Sequence, residues 1–166
     1  MNTVSVVIPT YNRINFLFRA IDSVLKQTYP IHQIIVVDNN STDNTSEILR
    51  NKYPKIEILF EQEKGVSFAR NKGIKFSKSD WIALLDSDDA WKPEKIEKQL
   101  FLYENSNKDL RVIHTDELWY KDKVLVNQKN KHIKSGGDIF EKSVKLCCIS
   151  PSSALLRSDL FKDIGY

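Results

Sequence analysis

Three nearly unbroken apolar runs, Val4–Ile8, Ile34–Val37 and Trp81–Leu85, constrain this chain more than any other feature. A strand with one wet face alternates apolar and polar residues. A continuous run marks a strand covered on both faces, as in a parallel sheet between helical layers. Ile56–Phe60 is a fourth candidate strand and Val112–Ile113 a weaker fifth. Between them lie segments of helical spacing. Leu17, Ala20, Ile21, Val24 and Leu25 form one apolar helix face. Thr45, Ile48 and Leu49 mark a second helix, with Ser41 and Asp43 as capping candidates. A third runs from about Val66 to Phe76. A fourth has Pro93 in its first turn, Ile96, Leu100 and Tyr103 inward, and Glu94 four residues before Lys98 outward. This alternation predicts right-handed crossovers and an α/β fold, a mostly parallel twisted sheet with helices on both faces.

After Asn105 the rhythm changes. Arg111–Tyr120 and Val124–Val126 read as a hairpin around Lys121-Asp122-Lys123, followed by a polar stretch containing Gly136-Gly137. A short helix is expected at Ile139–Leu146, a strand at Ser153–Leu156, and a helix from Ser158 or Asp159. The 166 residues suit one domain, and 41% hydrophobic with 28% charged residues is the composition of a globular protein. Lys plus Arg number 25 and Asp plus Glu 22, a net charge of +3, too small for the concentrated basic footprint of a nucleic-acid binder. Cys147 and Cys148 are adjacent, cannot form a disulfide framework, and read as small buried hydrophobes in a reducing compartment. No basic region precedes Val4–Ile8, which is too short for a signal peptide, and nowhere do ~18 apolar residues run together to span a bilayer.

In such sheets ligands bind beyond the carboxyl ends of the strands. The first strand is followed by Pro9-Thr10-Tyr11-Asn12-Arg13, the second by Asp38-Asn39-Asn40-Ser41-Thr42-Asp43, the fourth by Asp86-Ser87-Asp88-Asp89. The last is the most informative. Three carboxylates within four residues repel one another, and a hard divalent cation shared with substrate phosphates would relieve the repulsion. An Asx turn and helix cap leading to Pro93 is the equal alternative. Asp38 reads as an acceptor for a base N–H or a ribose hydroxyl, or as a turn residue. Tyr11 reads as a base-stacking ring or an amphipathic rim residue. Arg70, beside Ala69 and Gly73 in the third helix, needs an anionic or carbonyl partner if it points inward. Gly73 itself costs ~1 kcal/mol in a helix interior and so points to close backbone packing.

What is missing narrows the field. No Gly-x-Gly-x-x-Gly follows the first strand and no Walker-type Gly-Lys-Ser/Thr loop is present. A nucleoside diphosphate would have to be held by metal rather than by a glycine cradle. His32, His114 and His132 lack zinc-ligand spacing. Lys121 to Lys134 carries five Lys and one Asp, a solvated loop or a contact for an anionic lipid or acceptor surface. Trp91 and Trp119 read as core or rim packing, with a sugar platform as the alternative.

Five ordered blocks carry a resemblance. They are Val4-Ser5-Val6-Val7-Ile8-Pro9-Thr10-Tyr11-Asn12-Arg13; Gln27-Thr28-Tyr29-Pro30; Ile35-Val36-Val37-Asp38 with Ser41-Thr42-Asp43; Ala69-Arg70-Asn71-Lys72-Gly73-Ile74; and Leu85-Asp86-Ser87-Asp88-Asp89. Together they resemble the family 2 glycosyltransferases, in order from residue 3 to about 103 and more loosely to the end. The resemblance implies a Rossmann-like GT-A fold and inverting transfer from a nucleotide-sugar donor, UDP-linked, to a glycan or lipid-linked acceptor. It implies Mg²⁺ or Mn²⁺ on Asp88, Thr10 and Tyr11 at base and ribose, Asp38 and Arg70 at the nucleobase, and Asp86 at the ribose or donor sugar. Pro9, Asn12, Asn40 and Ser87 complete the nucleotide-sugar set, with Asn39-Asn40 standing where the family often shows Asp-Gly. It also implies a single GT-A-like catalytic domain over 1–166. Residues 1–104 form its nucleotide-sugar-binding half and 105–166 the start of an acceptor-binding half. The expected location is cytoplasmic, with peripheral contact at the inner face of the membrane as a variant. The family's general base follows a Gly-x-Phe-Asp-type turn, which Gly165-Tyr166 would only begin. No base is therefore assigned, and a truncated, donor-binding chain without turnover is one alternative. Asp116 and Glu117 are candidates for acceptor contact. A sugar nucleotidyltransferase is the other alternative, although it calls for a Gly-rich loop where Pro9-Thr10-Tyr11-Asn12 stands.

Overall fold

The computed structural model describes residues 1–166. Its main sheet has six strands in the order β3-β2-β1-β4-β8-β5. Here β1 is Val4–Thr10, β2 Gln33–Asp38, β3 Glu57–Phe60, β4 Trp81–Leu84, β5 Val112–His114 and β8 Ala154–Arg157. The first four run parallel. β8 is antiparallel to both β4 and β5, so the chain re-enters the sheet late and in reverse. The helices are α1 (Ile14–Leu25), α2 (Thr45–Lys52), α3 (Val66–Phe76), α4 (Lys95–Glu104), α5 (Phe140–Lys145) and α6 (Leu160–Ile164). No helix is long and apolar enough to cross a membrane.

β1 shows why continuous apolar runs predict this arrangement. Every one of its residues is buried. Val4, Val6 and Ile8 face one layer with Leu17, Ile21 and Val24 of α1, Leu49 of α2, and Ile96 and Leu100 of α4. Val7 faces the other, with Ile35, Val37, Ala69 and Ile74 of α3, and Phe161 of α6. Successive side chains in a strand point to opposite faces, so two helical layers demand apolar residues at consecutive positions.

The departures from expectation have local causes. Leu25, assigned to the apolar face of α1, is 56% exposed because the helix ends there. α4 begins at Lys95, two residues beyond Pro93. At the start of α2 Asn44 sits in the left-handed region at φ 57°, and Asp43 Oδ1 accepts from the Thr45 N–H at 3.3 Å. Ser41 does not cap the helix; its Oγ accepts the Asn12 N–H at 3.0 Å and ties the β1 loop to the β2 loop. The single hairpin arm expected over Arg111–Tyr120 is divided. Val112–His114 joins the main sheet beside β8, where Ile113 is buried. Trp119–Lys121 is β6, which pairs with β7 (Val124–Val126) in a separate ribbon. That ribbon turns on Asp122 and Lys123, both at positive φ as a tight two-residue hairpin loop requires. Cys147 is exposed and Cys148 half-buried, so neither is the buried hydrophobe expected; both follow α5, none of whose residues is buried. Trp91 is core, as its apolar surface suggests.

Candidate functional site

The register of β1 with β2 pairs Thr10 with Asp38, and that of β1 with β4 pairs Val7 with Leu84. The loops after these strands therefore leave the sheet along one edge. They enclose an open cavity of about 530 Å³, walled on its remaining side by the approach to α3. Of the residues singled out in the sequence, Pro9, Thr10, Tyr11, Arg70, Asp86, Ser87 and Asp88 line it. Asn12, Asp38 and Asn40 do not line it. Asn12, at φ 49°, accepts the Thr42 N–H on Oδ1 at 2.7 Å. Asp38 is buried with both carboxylate oxygens engaged, Oδ1 by the Ser41 N–H at 2.9 Å and Oδ2 by Ser46 Oγ–H at 2.7 Å. Asn40 is at φ 70°, the backbone region that suits the glycine often found there.

Two ion pairs organise the acidic loop. Arg70 Nη2 meets Asp86 Oδ1 at 2.6 Å, and Arg13 Nη1 meets Asp88 Oδ2 at 2.5 Å. Arg70 thus has the anionic partner that an inward arginine needs. Arg19 also donates to the Asp88 backbone carbonyl. Asp89 turns away and accepts from Ser152 Oγ at 2.6 Å. Burial raises its carboxyl above the ordinary range against the Ser152 hydrogen bond, and the neighbouring Asp88, Asp86 and Glu117 charges add to the rise. Two polar atoms of the cavity wall are buried without a hydrogen-bond partner, Thr10 Oγ1 and Arg70 Nε. Buried polar groups are nearly always paired, so these two mark a surface shaped for something polar.

Several lining residues lie outside the site set expected from the sequence: Arg13, Asn39, Lys64, Gly65, Val66 and Ala69. Arg13 and Ala69 stand inside the blocks quoted above and carried a signal. Lys64 and Gly65 carried none, because their loop is placed by Asn39. The buried Asn39 amide donates to the carbonyls of Glu61 (3.1 Å) and Glu63 (2.6 Å) and accepts the Gly65 N–H (2.8 Å).

No group of three His, Cys, Asp or Glu side chains is gathered closely enough to cage a metal ion. The hard oxygens of Asp86 and Asp88 in a cavity also lined by Arg13, Lys64 and Arg70 are a different donor set. It fits a divalent cation that arrives with phosphate oxygens to complete its shell.

Glu117 lies on a second, smaller hollow of about 240 Å³ with Asp116, Trp119, Leu125 and Gln128. Burial works against its charge, but Ser150 Oγ–H, the Trp119 indole N–H and Lys134 outweigh it and hold the carboxyl below the ordinary range.

A mostly parallel α/β sheet with a polar cleft beyond the carboxyl ends of its parallel strands defines the class. The family model for glycosyl transferase family 2 matches residues 5–165, and the chain belongs to that family. An uncharacterised glycosyltransferase of Rickettsia felis is 36% identical over 96% of this chain and 27% of its own length. The Escherichia coli UDP-Glc:α-D-GlcNAc-diphosphoundecaprenol β-1,3-glucosyltransferase WfgD is 39% identical over 63% of this chain and 42% of its own. The chain thus spans about a quarter to under half the length of these relatives. S. aureus TarS 1–349, solved with UDP, superimposes with a TM-score of 0.72 at 23% identity, over 98% of this chain and 48% of that one. The fold is GT-A.

Proposed function

We propose that this chain binds a UDP-linked sugar in the cavity beyond β1, β2 and β4 and serves its transfer to an acceptor hydroxyl with inversion. The observation that carries the reading is the convergence of Tyr11, Arg70, Asp86 and Asp88 from three separate chain segments on one cavity. Tyr11 offers an exposed ring for a base to stack on. Thr10 Oγ1 and Arg70 Nε, buried beneath the wall without partners, keep hydrogen-bonding capacity that a small side-chain rotation would turn to a ligand. Asp86, already oriented by Arg70, offers a carboxylate to a ribose or sugar hydroxyl. Asp88 is the residue to hold Mg²⁺ or Mn²⁺, which supplies Lewis-acid stabilisation of the departing diphosphate when bound. Arg13 and Lys64 add positive charge on the same wall. WfgD supports the donor class, the inversion and a lipid-linked acceptor, since its name pairs UDP-Glc with a diphosphoundecaprenol acceptor and a β-linked product. Residues 1–104 then form the donor side, while 105–166 contribute to the acceptor side.

Calorimetry of UDP binding with Mn²⁺ and with a chelator tests this. UDP is expected to bind more tightly with Mn²⁺, and Asp88→Asn is expected to remove that difference while its melting temperature stays that of the parent. Equal binding in Mn²⁺ and chelator by the parent chain would overturn the metal assignment. No binding in either would overturn the donor site.

A further inference from the structure

The Arg13–Asp88 pair is the more exposed of the two ion pairs on the acidic loop, and it engages the very carboxylate assigned to the cation. We propose that Arg13 is a placeholder cation: it neutralises Asp88 while the cavity is free of ligand, then releases Asp88 to the divalent ion and turns to the diphosphate. The inference rests on the reading of Asp88 given above and adds to it the order in which metal and nucleotide are accepted.

Three observations support it. First, the two arginine–aspartate pairs differ in freedom. The Arg70 and Asp86 side chains are 21% and 32% exposed, whereas Arg13 and Asp88 are 52% and 47% exposed. Arg70 stands in α3 next to the buried Ala69, and its own Nε is buried, so its guanidinium is the more confined of the two. Arg13 precedes α1 with no side-chain capping bond, so nothing else holds its side chain where it is.

Second, the loop keeps its shape without Arg13. Arg19 donates to the Asp88 carbonyl, Asp89 N–H to the Asp86 carbonyl at 3.0 Å, and Ser152 Oγ accepts the Asp86 N–H at 3.0 Å. Exchange of the Asp88 partner therefore requires a side-chain movement and no rebuilding of the loop.

Third, the exchange conserves charge pairing. Arg13 and Asp88 line the same cavity, together with Lys64, Arg70 and Asp86. A divalent ion alone, approaching Asp88, meets a guanidinium in its way and is repelled by it. A divalent ion carried by a diphosphate brings its own anion, and a planar guanidinium pairs well with phosphate oxygens. Arg13 thus lowers the affinity for bare metal and raises the affinity for nucleotide. By linkage it strengthens the dependence of each on the other.

Arg13→Ala tests this through binding rather than turnover. Mn²⁺ affinity without nucleotide is read from the free-ion electron paramagnetic resonance signal, and UDP affinity in chelator from calorimetry. A half-exposed ion pair shifts such equilibria roughly two- to fivefold. Arg13→Ala is expected to bind bare Mn²⁺ tighter by that factor and UDP in chelator weaker by a similar one. Arg13→Lys, which keeps the charge but not the planar fork, is expected to retain the effect on bare Mn²⁺ and only part of the effect on UDP. Mn²⁺ affinity that is unchanged or weakened in Arg13→Ala would overturn the placeholder role. If the parent's UDP binding depends on Mn²⁺ and Arg13→Ala changes nothing, only this inference fails. If the parent's UDP binding ignores Mn²⁺, the metal reading fails and takes this one with it. Melting temperatures within about a degree of the parent establish that the variants are folded, as expected for a half-exposed side chain.

Discussion

Gly73 and Val7 are in such close contact that a Cβ on the glycine would lie 2.4 Å from Val7 Cγ1. It would also lie 3.1 Å from Val37 Cγ2, so α3 rests its backbone directly on β1 and β2. Gly73→Ala gains about 1 kcal/mol of helix propensity but must push α3 off the sheet, and overpacking a close-fitted core costs about 1–3 kcal/mol. The steric cost wins because both neighbours are β-branched and fully buried. The expected outcome is a net loss of up to about 2 kcal/mol in urea denaturation. Nucleotide affinity should fall as well, since Arg70 rides on the same helix. A variant as stable as the parent would show that α3 can shift freely.

Asn39 gives a second test, of the wall rather than the floor. Its amide satisfies two carbonyls and one N–H of the 61–65 loop, which carries Lys64 and Gly65 to the cavity. Asn39→Ala leaves these groups without partners, at about 1–3 kcal/mol. UDP affinity should drop further than that of an equally destabilised core variant such as Leu100→Ala, measured at a temperature where both are folded. Equal drops would mean that the loop holds its place unaided.

Much of this was readable in advance, and the division has a physical basis. β1, β2 and β4 were legible because burial on both faces writes itself into consecutive residues. Gly73 was legible because a glycine inside a helix needs a reason. Arg70 was legible as a side chain requiring an anion, which Asp86 supplies. What stayed hidden depends on contacts distant in sequence. Val112–Ile113 reads as a strand, but its place in the main sheet is hidden because its partner, β8, lies some forty residues later and pairs in the opposite sense. Lys64 reaches the cavity only through Asn39, and nothing local to Lys64 records that.

Arg70 and Asp86 allow a separation of stability from binding. Arg70→Leu leaves a carboxylate beside Asp88 and Asp89, whereas Arg70→Leu with Asp86→Leu removes the charge and its partner together. For a partly buried pair a coupling of about 1–2 kcal/mol is expected in a double-mutant cycle, with the double variant more stable than Arg70→Leu alone. UDP binding should stay lost in the double variant. Recovery of binding along with stability would remove Arg70 and Asp86 from the donor site.

Lys95 supplies a pH dependence independent of the site. The side chain is buried, its ammonium 4.2 Å from the Trp91 ring centroid and donating to Gln99 Oε1 at 2.9 Å, with no carboxylate partner. Desolvation by burial pulls its pKa down from 10.5 to about 7. Between those values the unfolded chain binds a proton at this position that the folded chain does not. Raising the pH through this window therefore favours the folded state, by up to about 1.4 kcal/mol per unit. The stabilisation begins as pH rises through about 7 and is complete near 10.5. Melting temperatures at pH 7.5, 8.5 and 9.5 should climb in the parent relative to Lys95→Met, which fills the same space with no proton to lose. A parallel rise in both proteins would place the titrating group elsewhere, and the Lys95 ammonium would then remain charged against Trp91 throughout.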